Sequence, residues 1–280
     1  MDTLRFTKMH GLGNDYVYVD AFAQSVRDPA ALARRVSPRH TGIGSDGLIL
    51  ICPSSAADCR MEMYNADGSR GQMCGNGIRC VGKYAYDHGL ARRNPMRIET
   101  DAGIKELQLE LHGDRVASVT VDMGEPILDG PLIPVAAEGR VIDAPLTVDG
   151  KAWRITCVSM GNPHCVVFVD DVAPLALASL GPQFEGHAFF PKRVNTEFIQ
   201  VVSSRELRMR VWERGSGETE ACGTGACASV VAAVLNGKCE RRATVRLRGG
   251  NLAIEWRASD GHVMMTGPAT EVFSGQLEVE

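Results

Sequence analysis

The chain contains one cysteine–glycine motif twice, as Met73-Cys74-Gly75-Asn76-Gly77 and as Ala221-Cys222-Gly223-Thr224-Gly225. The two cysteines lie 148 positions apart. The same offset of 148 carries Asn14 onto Asn162 and Met61–Tyr64 onto Met209–Trp212 without a gap. The repeat therefore predicts two related halves, each presenting one thiol in a glycine-rich loop.

The length agrees with two halves, because 280 residues suit two domains of about 140 residues each. Four of the 13 prolines lie between Glu125 and Pro145, a composition typical of a connection. We expect an N-terminal half, residues 1–122, that carries Cys74, and a C-terminal half, residues 123–269, that carries Cys222.

Each half alternates strand-like runs with one helix that begins near its cysteine. Gly77–His88 has apolar residues at helical spacing and Gly89 as a C-terminal cap, and Gly225–Leu235 is apolar nearly all round, which predicts a buried helix. A short helix is predicted at Pro29–Val36. Strands are predicted at Phe6–Met9, Tyr16–Asp20, Leu48–Ile51, Cys59–Tyr64, Met96–Thr100, Lys105–Leu111, Val116–Asp122, Trp153–Met160, Cys165–Val169, Asn195–Val202 and Leu207–Trp212. The predicted fold class is α+β, with many strands around one central helix in each half.

Bulk composition excludes several classes of protein. A net charge of −4 gives no reason to expect nucleic acid or an anionic membrane as a partner. No apolar run approaches the roughly 18 residues of a membrane span, and the first residues lack a signal-peptide pattern. Nine cysteines is an odd number, so a complete disulfide framework would leave one thiol over. We expect a cytoplasmic protein with reduced cysteines, most of them buried filler.

The two motif cysteines are placed for acid–base chemistry. A helix N-terminus offers unsatisfied N–H donors and a partial positive charge, which favours a thiolate and an anionic ligand. If the halves face each other, the N–H donors at the two helix N-termini can hold one substrate carboxylate between them. The two sulfurs then flank the α-carbon next to that carboxylate. One thiolate can then remove the α-proton while the opposite thiol delivers a proton to the other face.

Other readings of the motifs remain open. One alternative is that each cysteine is a structural residue in a tight turn. A second is a zinc site formed by Cys74, Cys80 and His88, although their spacing fits one poorly. A third is a Cys74–Cys222 disulfide, expected as oxidative damage rather than as function. The motifs contain no lysine, so nothing suggests a pyridoxal-phosphate Schiff base, and we expect neither a cofactor nor a metal.

Polar residues in the surrounding loops are candidates for substrate binding. The four asparagines Asn14, Asn65, Asn162 and Asn195 each lie near a strand-to-turn boundary. Arg214 could bind a second carboxylate in bidentate fashion and Glu213 an ammonium group, unless the two form only a surface ion pair. His164 could tune a nearby thiol, or it could be structural.

Several motifs in order together resemble those of the diaminopimelate epimerase family. They are Lys8–Asp15, Gly42–Gly47, Asn65–Ser69, Met73–Gly77, Gly161–His164, Glu213–Gly215 and Ala221–Gly225. The resemblance runs from Lys8 to at least Gly225. It implies a cofactor-independent enzyme that interconverts LL- and meso-diaminopimelate on the route to lysine, with two pseudo-symmetric domains and the active site in the cleft between them.

The resemblance also implies roles for individual residues. Cys74 and Cys222 would be the acid–base pair, and the backbone around Gly75-Asn76 and Gly223-Thr224 would hold the reacting carboxylate. Substrate would be bound by Asn14, Asn65, Asn162, Asn195, Glu213 and Arg214. A homodimer is expected, as is a final strand, about residues 270–280, that returns to the first domain. The chain departs from the family pattern at Gly47, where many members carry Gln, and at Arg70-Gly71-Gln72, where a more acidic stretch is usual.

Two rival functions remain. A cofactor-independent racemase of the same fold could act on proline, hydroxyproline or histidine, although a monocarboxylate would leave Glu213-Arg214 without a purpose. A thiol-based redox sensor would instead form a reversible disulfide between Cys74 and Cys222 and catalyse no proton exchange.

Overall fold

The computed structural model describes residues 2–279. Its chain divides into two compact units, the first made of residues 1–121 and 266–280 and the second of residues 122–265. The strands are β1 (Asp2–Gly11), β2 (Asn14–Asp20), β3 (Gly47–Cys52), β4 (Cys59–Asn65), β5 (Arg70–Gly71), β6 (Met96–Thr100), β7 (Gly103–His112), β8 (Arg115–Asp122), β9 (Ala144–Val148), β10 (Lys151–Ser159), β11 (Pro163–Phe168), β12 (Asn195–Ser203), β13 (Glu206–Glu213), β14 (Gly217–Glu218), β15 (Arg242–Leu247), β16 (Gly250–Trp256), β17 (Val263–Gly267) and β18 (Thr270–Val279). The α-helices are α1 (Pro29–Val36), α2 (Gly75–Asp87), α3 (Leu177–Glu185) and α4 (Gly223–Leu235).

The first unit is a mainly antiparallel sheet with α2 at its centre. Strand β1 pairs antiparallel with β2 and β18, and β2 runs parallel to β3. Helix α2 contacts β1, β2, β3, β4, β6 and β7, and ten of its residues are buried. Helix α1 packs elsewhere on the sheet, with Leu32, Ala33 and Val36 in a cluster that includes Val17 and Leu48. This enclosure fixes the N-terminus of α2, where Cys74 lies.

The second unit repeats this arrangement. Strands β9, β10 and β11 are antiparallel neighbours, β11 runs parallel to β12, and β12 is antiparallel to β13. Helix α4 contacts β10, β11, β12, β13, β15 and β16 and is buried along most of its length. On α3, Phe184 packs edge-on against Trp153 and Phe198. The predicted α+β class, with a central helix inside a mainly antiparallel sheet in each half, is confirmed.

The offset of 148 residues holds for whole elements. Shifting α2, residues 75–87, by 148 gives 223–235, which are the bounds of α4. Shifting α1, residues 29–36, gives 177–184, and α3 spans Leu177–Glu185. The repeat in sequence is therefore a repeat in structure.

Some sequence predictions need correction. Helices α2 and α4 begin two residues before the predicted Gly77 and Gly225, because each motif cysteine acts as the N-cap. Helix α3 was not predicted, since it contains Gly181 and Pro182, which normally argue against a helix. Gly181 is required there because a Cβ would lie 2.2 Å from the Trp212 ring.

Strand predictions also missed elements. Strands β5, β9 and β14–β17 were not predicted. The loops expected between the first two predicted strands and between Met160 and Cys165 are shorter than expected: only residues 12–13 separate β1 from β2, and Pro163 and His164 belong to β11. Strand β18 pairs with β1 over most of its length. Among the helices of residues 2–279, none has the length and apolar character that crossing a membrane requires.

Candidate active site

Both motif cysteines cap the N-terminus of the central helix of their unit. Cys74 precedes α2, and its Sγ accepts the Gly77 N–H at 3.3 Å. Cys222 precedes α4, and its Sγ accepts the Gly225 N–H at 3.4 Å. A sulfur in this position meets unsatisfied N–H donors and the positive end of the helix dipole, both of which stabilise a developing thiolate.

Cys74 lies next to Asn14 in the first unit. The thiol donates to Asn14 Oδ1 at 3.3 Å, while Asn14 Nδ2 donates to Asp46 Oδ2 at 2.8 Å. Because Asp46 holds the amide nitrogen, Asn14 presents its carbonyl oxygen to Cys74. Tyr16 is a further neighbour of Cys74. Burial, and then the proximity of Cys74, raise the pKa of Tyr16 well above its usual value, so this phenol is neutral.

A network of charges fixes Asp46. Arg39 Nη2 contacts Asp15 at 2.8 Å and Asp46 at 2.9 Å, and Lys8 Nζ lies 2.5 Å from Asp15. Burial acts to raise the pKa of Asp15, but hydrogen bonds from Arg39 and Lys8 outweigh it and lower the value. Burial and the adjacent Asp15 raise the pKa of Asp46.

The first turn of α2 is held from inside by a fully buried arginine. Arg79 donates to Asn76 Oδ1 at 2.9 Å, to the Gly75 carbonyl at 3.1 Å and to the Pro268 carbonyl at 3.2 Å. The Asn76 side chain thus points toward Arg79, so Asn76 would act on a ligand through its backbone. Asn65 Nδ2 bonds Ser69 Oγ at 2.9 Å in the turn after β4, rather than Cys74.

Cys222 lies among carboxylates in the second unit. Burial, followed by the negative charges of Glu213 and Glu197, raises the pKa of the Cys222 thiol well above its usual value, so this cysteine is protonated at neutral pH. Burial also raises the pKa of Glu213, whose carboxylate accepts a hydrogen bond from Thr219. Thr224 Oγ1 lies 3.5 Å from Cys222 Sγ.

His164 forms a buried hydrogen-bonded chain beside Cys222. Its Nδ1 lies 2.7 Å from Glu197 Oε1, and its Nε2 lies 2.9 Å from Asn162 Oδ1. The side chains of His164 and Glu197 are both 0% exposed. Gly225 makes room for this pair, because a Cβ there would lie 2.5 Å from Glu197 Oε1.

Asn195 and Glu185 hold the loop that carries Arg214. Asn195 Oδ1 accepts the Arg214 N–H at 2.9 Å, and its Nδ2 donates to the Pro163 carbonyl at 3.0 Å. Glu185 accepts the Gly215 N–H at 2.9 Å. The Arg214 side chain is exposed and donates to the Lys192 carbonyl at 2.9 Å. The Glu213 carboxylate instead faces Cys222. Within residues 2–279, Glu213 and Arg214 therefore form no surface ion pair with each other.

Sequence reasoning missed three of these supporting residues. Asp46, Glu185 and Glu197 each hold a predicted site residue or its loop, and Glu197 and Glu185 are buried. A signal for Glu197 was present: the offset of 148 aligns it with Ile49, which is fully buried. A carboxylate at a core position needs a buried partner.

Gly47, the predicted departure from the family pattern, has a steric explanation. A Cβ at Gly47 would lie 2.1 Å from the Tyr64 carbonyl oxygen and 3.0 Å from the Tyr16 ring. On this backbone only glycine fits between β2 and β4. In Arg70-Gly71-Gln72, Arg70 forms an ion pair with Asp101.

The donor atoms of His164, Glu197 and Cys222 all lie within 4.8 Å of one another, close enough to hold a metal ion. However, His164 Nδ1 and Glu197 Oε1, two of these donor atoms, already form a hydrogen bond with each other. The alternative zinc set of Cys74, Cys80 and His88 does not form such a group among the described residues, and His88 instead stacks on Tyr84.

The remaining cysteines form no disulfide among residues 2–279. Cys59, Cys80, Cys157, Cys165 and Cys227 are buried, as expected of filler, whereas Cys52 and Cys239 are half-buried. Burial raises the pKa of Cys52 and of Cys239 to about 11 and that of Cys59 to about 12. These thiols are therefore poor nucleophiles at neutral pH.

Comparisons with known proteins identify the family of the chain. The family model described as diaminopimelate epimerase matches residues 6–128 and 156–272. The diaminopimelate epimerase of Agathobacter rectalis is 57% identical over 284 residues, covering 99% of this chain and 100% of that protein. That of Acetivibrio thermocellus is 55% identical over 277 residues, covering 99% of each chain.

Solved structures share the fold at low sequence identity. The Bacillus anthracis phenazine biosynthesis protein of the PhzF family has a TM-score of 0.71 at 16% identity, with 100% of both chains covered. A hydroxyproline epimerase from Agrobacterium vitis has a TM-score of 0.69 at 16% identity, with 98% of this chain and 92% of that chain covered. The fold is therefore common to several activities, whereas the high identity over nearly the whole length is specific. The chain belongs to the diaminopimelate epimerase family.

Proposed function

We propose that the protein interconverts LL- and meso-diaminopimelate in lysine biosynthesis, without a cofactor, and that Cys74 and Cys222 are its acid–base pair. The observation that carries the proposal is the matched placement of these cysteines as N-caps of the two central helices, with sulfur accepting an N–H at 3.3 Å in one unit and 3.4 Å in the other. Relatives that are 57% and 55% identical and bear this activity in their names support the substrate.

The state of Cys222 suggests how the reaction begins. Its thiol is protonated because burial and neighbouring carboxylates raise its pKa. We propose that Cys74, after losing the proton that it donates to Asn14, acts as thiolate and removes the single α-proton from one face, while Cys222 delivers its proton to the opposite face of the same carbon. In the opposite direction the roles exchange, so the pair titrates as one system.

The helix N-termini would stabilise the intermediate. Removal of the α-proton moves negative charge onto the carboxylate oxygens of the substrate. Backbone N–H groups around Gly75-Asn76 and Gly223-Thr224 lie at the positive ends of α2 and α4 and would donate to these oxygens. Preorganised donors of this kind commonly contribute 10²- to 10³-fold to a rate.

The substrate-binding residues would divide by position. Asn14 touches Cys74 and Glu213 faces Cys222, so we propose that both act near the reacting carbon, with Glu213 binding an ammonium group. Arg214 is exposed and extends from the loop held by Asn195, which suits a bidentate contact with the distal carboxylate. Asn65 and Asn162 would complete the polar contacts.

The experiment is α-proton exchange in D₂O under reducing conditions, with LL-diaminopimelate, proline and histidine in parallel. Exchange with diaminopimelate alone is expected. Exchange with proline would favour a racemase of the same fold, and no exchange with any substrate would refute an epimerase and leave a redox role. Arg214→Lys should raise KM for diaminopimelate, because Lys cannot reproduce the bidentate contact.

The two-thiol mechanism has its own test. Cys74→Ala and Cys222→Ala should each abolish epimerisation, since each removes one of the two groups. α-Proton exchange that persists in a variant carrying both substitutions would overturn the mechanism. Unfolding curves of the variants serve as the control for folding.

We also propose a cytoplasmic homodimer. The nine free thiols suit a reducing compartment. On β18, Val272 is 55% and Phe273 is 48% exposed, and adjacent large apolar side chains are typical of an interaction surface. Cell fractionation and light scattering after size exclusion test the two statements, and a monomer at micromolar concentration would contradict the second.

A further inference from the structure

We propose that Glu197 is a positioning residue that orients His164 beside Cys222 and biases this half-site toward a protonated cysteine. The inference rests on the proposed function for its meaning in catalysis. Its evidence lies entirely within the second unit.

The placement of Glu197 follows from strand pairing. In the parallel pair of β11 and β12, His164 lies opposite Asn195, and Glu197 is two residues further along the same face of β12. Glu197 Oε1 can therefore reach His164 Nδ1, at 2.7 Å. The N-terminal turn of α4 closes over this pair, and Gly225 leaves the space that Glu197 occupies.

Both nitrogens of the His164 ring face acceptors. Nδ1 meets the Glu197 carboxylate, and Nε2 meets Asn162 Oδ1 at 2.9 Å. These two contacts fix the plane of the ring. Without the carboxylate, Nδ1 would be buried with no partner, so Glu197 is what allows His164 to hold a fixed, doubly bonded orientation.

The carboxylate of Glu197 lies close to Cys222. Donor atoms of Glu197, His164 and Cys222 lie within 4.8 Å of one another. Glu197 Oε2 is buried and has no hydrogen-bond partner among the described residues. The carboxylate therefore opposes a negative charge on the sulfur. The other groups facing Cys222 are Glu213 from β13 and Thr224 from α4.

The first half of the repeat has no His–Glu pair at the equivalent positions. The positions equivalent to Glu197 and His164 are Ile49 and Tyr16, at the same offset of 148. Tyr16 is neutral and Ile49 is apolar and fully buried. Among the described residues, the Cys222 half-site therefore has a buried His–Glu pair beside its cysteine that the Cys74 half-site lacks, which makes the two halves unequal as acids.

The test uses two substitutions with opposite expected signs. Glu197→Gln keeps the size of the side chain and removes its charge, so the thiolate of Cys222 should form more readily. His164→Asn leaves the carboxylate without its partner, so the thiolate should form less readily. Alkylation of Cys222 by iodoacetamide at pH 8, followed by peptide mass spectrometry, measures this without substrate, and Cys74 in the same sample is an internal control.

We expect Glu197→Gln to alkylate Cys222 at least about tenfold faster, and His164→Asn several-fold slower, given a unit charge at this distance. Glu206→Gln, which removes a surface carboxylate of the same unit, should change neither rate. In Glu197→Gln, kcat should fall more than KM rises, because the side chain has no exposed surface to touch substrate.

A purely structural role would loosen the site in both variants and speed alkylation in both, and that result would overturn the proposal. If Glu197→Gln does not fold, the slower alkylation expected of His164→Asn still decides the sign. Because alkylation needs no substrate, these outcomes are independent of the exchange assay, in which failure on diaminopimelate would refute the proposed function instead.

Discussion

Replacing Gly225 by Ala should disrupt the Cys222 half-site through a single methyl group. A Cβ at this position would lie 2.5 Å from Glu197 Oε1 and 3.2 Å from Cys222 Sγ. Glu197 cannot move away freely, because it is fully buried and bonded to His164. The equivalent change in the first half, Gly77→Ala, would bring a Cβ within 2.7 Å of Ile49 Cδ1, the mobile end of an apolar side chain.

The magnitudes differ for this reason. Breaking a hydrogen bond to a charged group costs about 1.5–3 kcal/mol of unfolding free energy, and Ala in place of Gly in a helix returns up to about 1 kcal/mol. Gly225→Ala should therefore lose about 0.5–2 kcal/mol of unfolding free energy. In Gly77→Ala, mild overpacking of about 1 kcal/mol is offset by the same helix gain, so the change should be close to zero.

Urea unfolding and α-proton exchange on diaminopimelate measure the two effects. We expect Gly225→Ala to unfold at lower urea with an unchanged m-value and to lose at least about tenfold in kcat, because both Glu197 and Cys222 are displaced. Gly77→Ala should stay near the parent in stability. Equal stability and activity of the two variants would refute the view that Gly225 exists to admit Glu197.

The remaining predictions concern acidity, the Arg214 loop, strand packing and metals. Burial and Glu213 raise the pKa of Cys222, so its alkylation should rise about tenfold per pH unit from pH 7 to 9, and a plateau in that range would contradict the shift. Glu185→Ala should raise KM for diaminopimelate several-fold with little change in kcat, measured by steady-state kinetics, because the loop loses the acceptor of Gly215 N–H. Gly47→Gln should lower the unfolding free energy by about 3 kcal/mol in urea titration, because its Cβ would collide with a backbone oxygen. Dialysis against a chelator should leave the exchange rate unchanged, and loss of activity that returns with zinc would show a required metal.

Much of the fold could be predicted from periodicity and from the repeat. The bounds of α1 were predicted to the residue, and those of α2 and α4 to within two residues at the start. Helix α3 escaped because local propensity argues against Gly181 and Pro182, whereas packing on Trp212 decides the outcome. The offset of 148 residues would have predicted α3 from α1, because the repeat reflects the tertiary structure of each half rather than local helix propensity.

The residues of the candidate site, too, could be predicted only in part. Cys74 and Asn14, and Cys222 and Glu213, were named from motifs, and the structure brings each pair together. Glu197 was not named, because a Glu in a strand is normally solvent-exposed and its burial depends on the approach of α4. Side chains that act through another residue leave little trace in local sequence.

The pairing of β18 with β1 has a consequence for the order of synthesis. Strand β1 is synthesised before the second unit, and its partner β18 is synthesised after it. All of residues 122–265, the second unit, are made before the first unit can close its sheet. At about 5–20 residues per second, the segment up to residue 121 waits roughly 7–30 s for its final strand. Truncation of the last ten residues should therefore leave the edge of β1 open in a chain whose second unit has already folded.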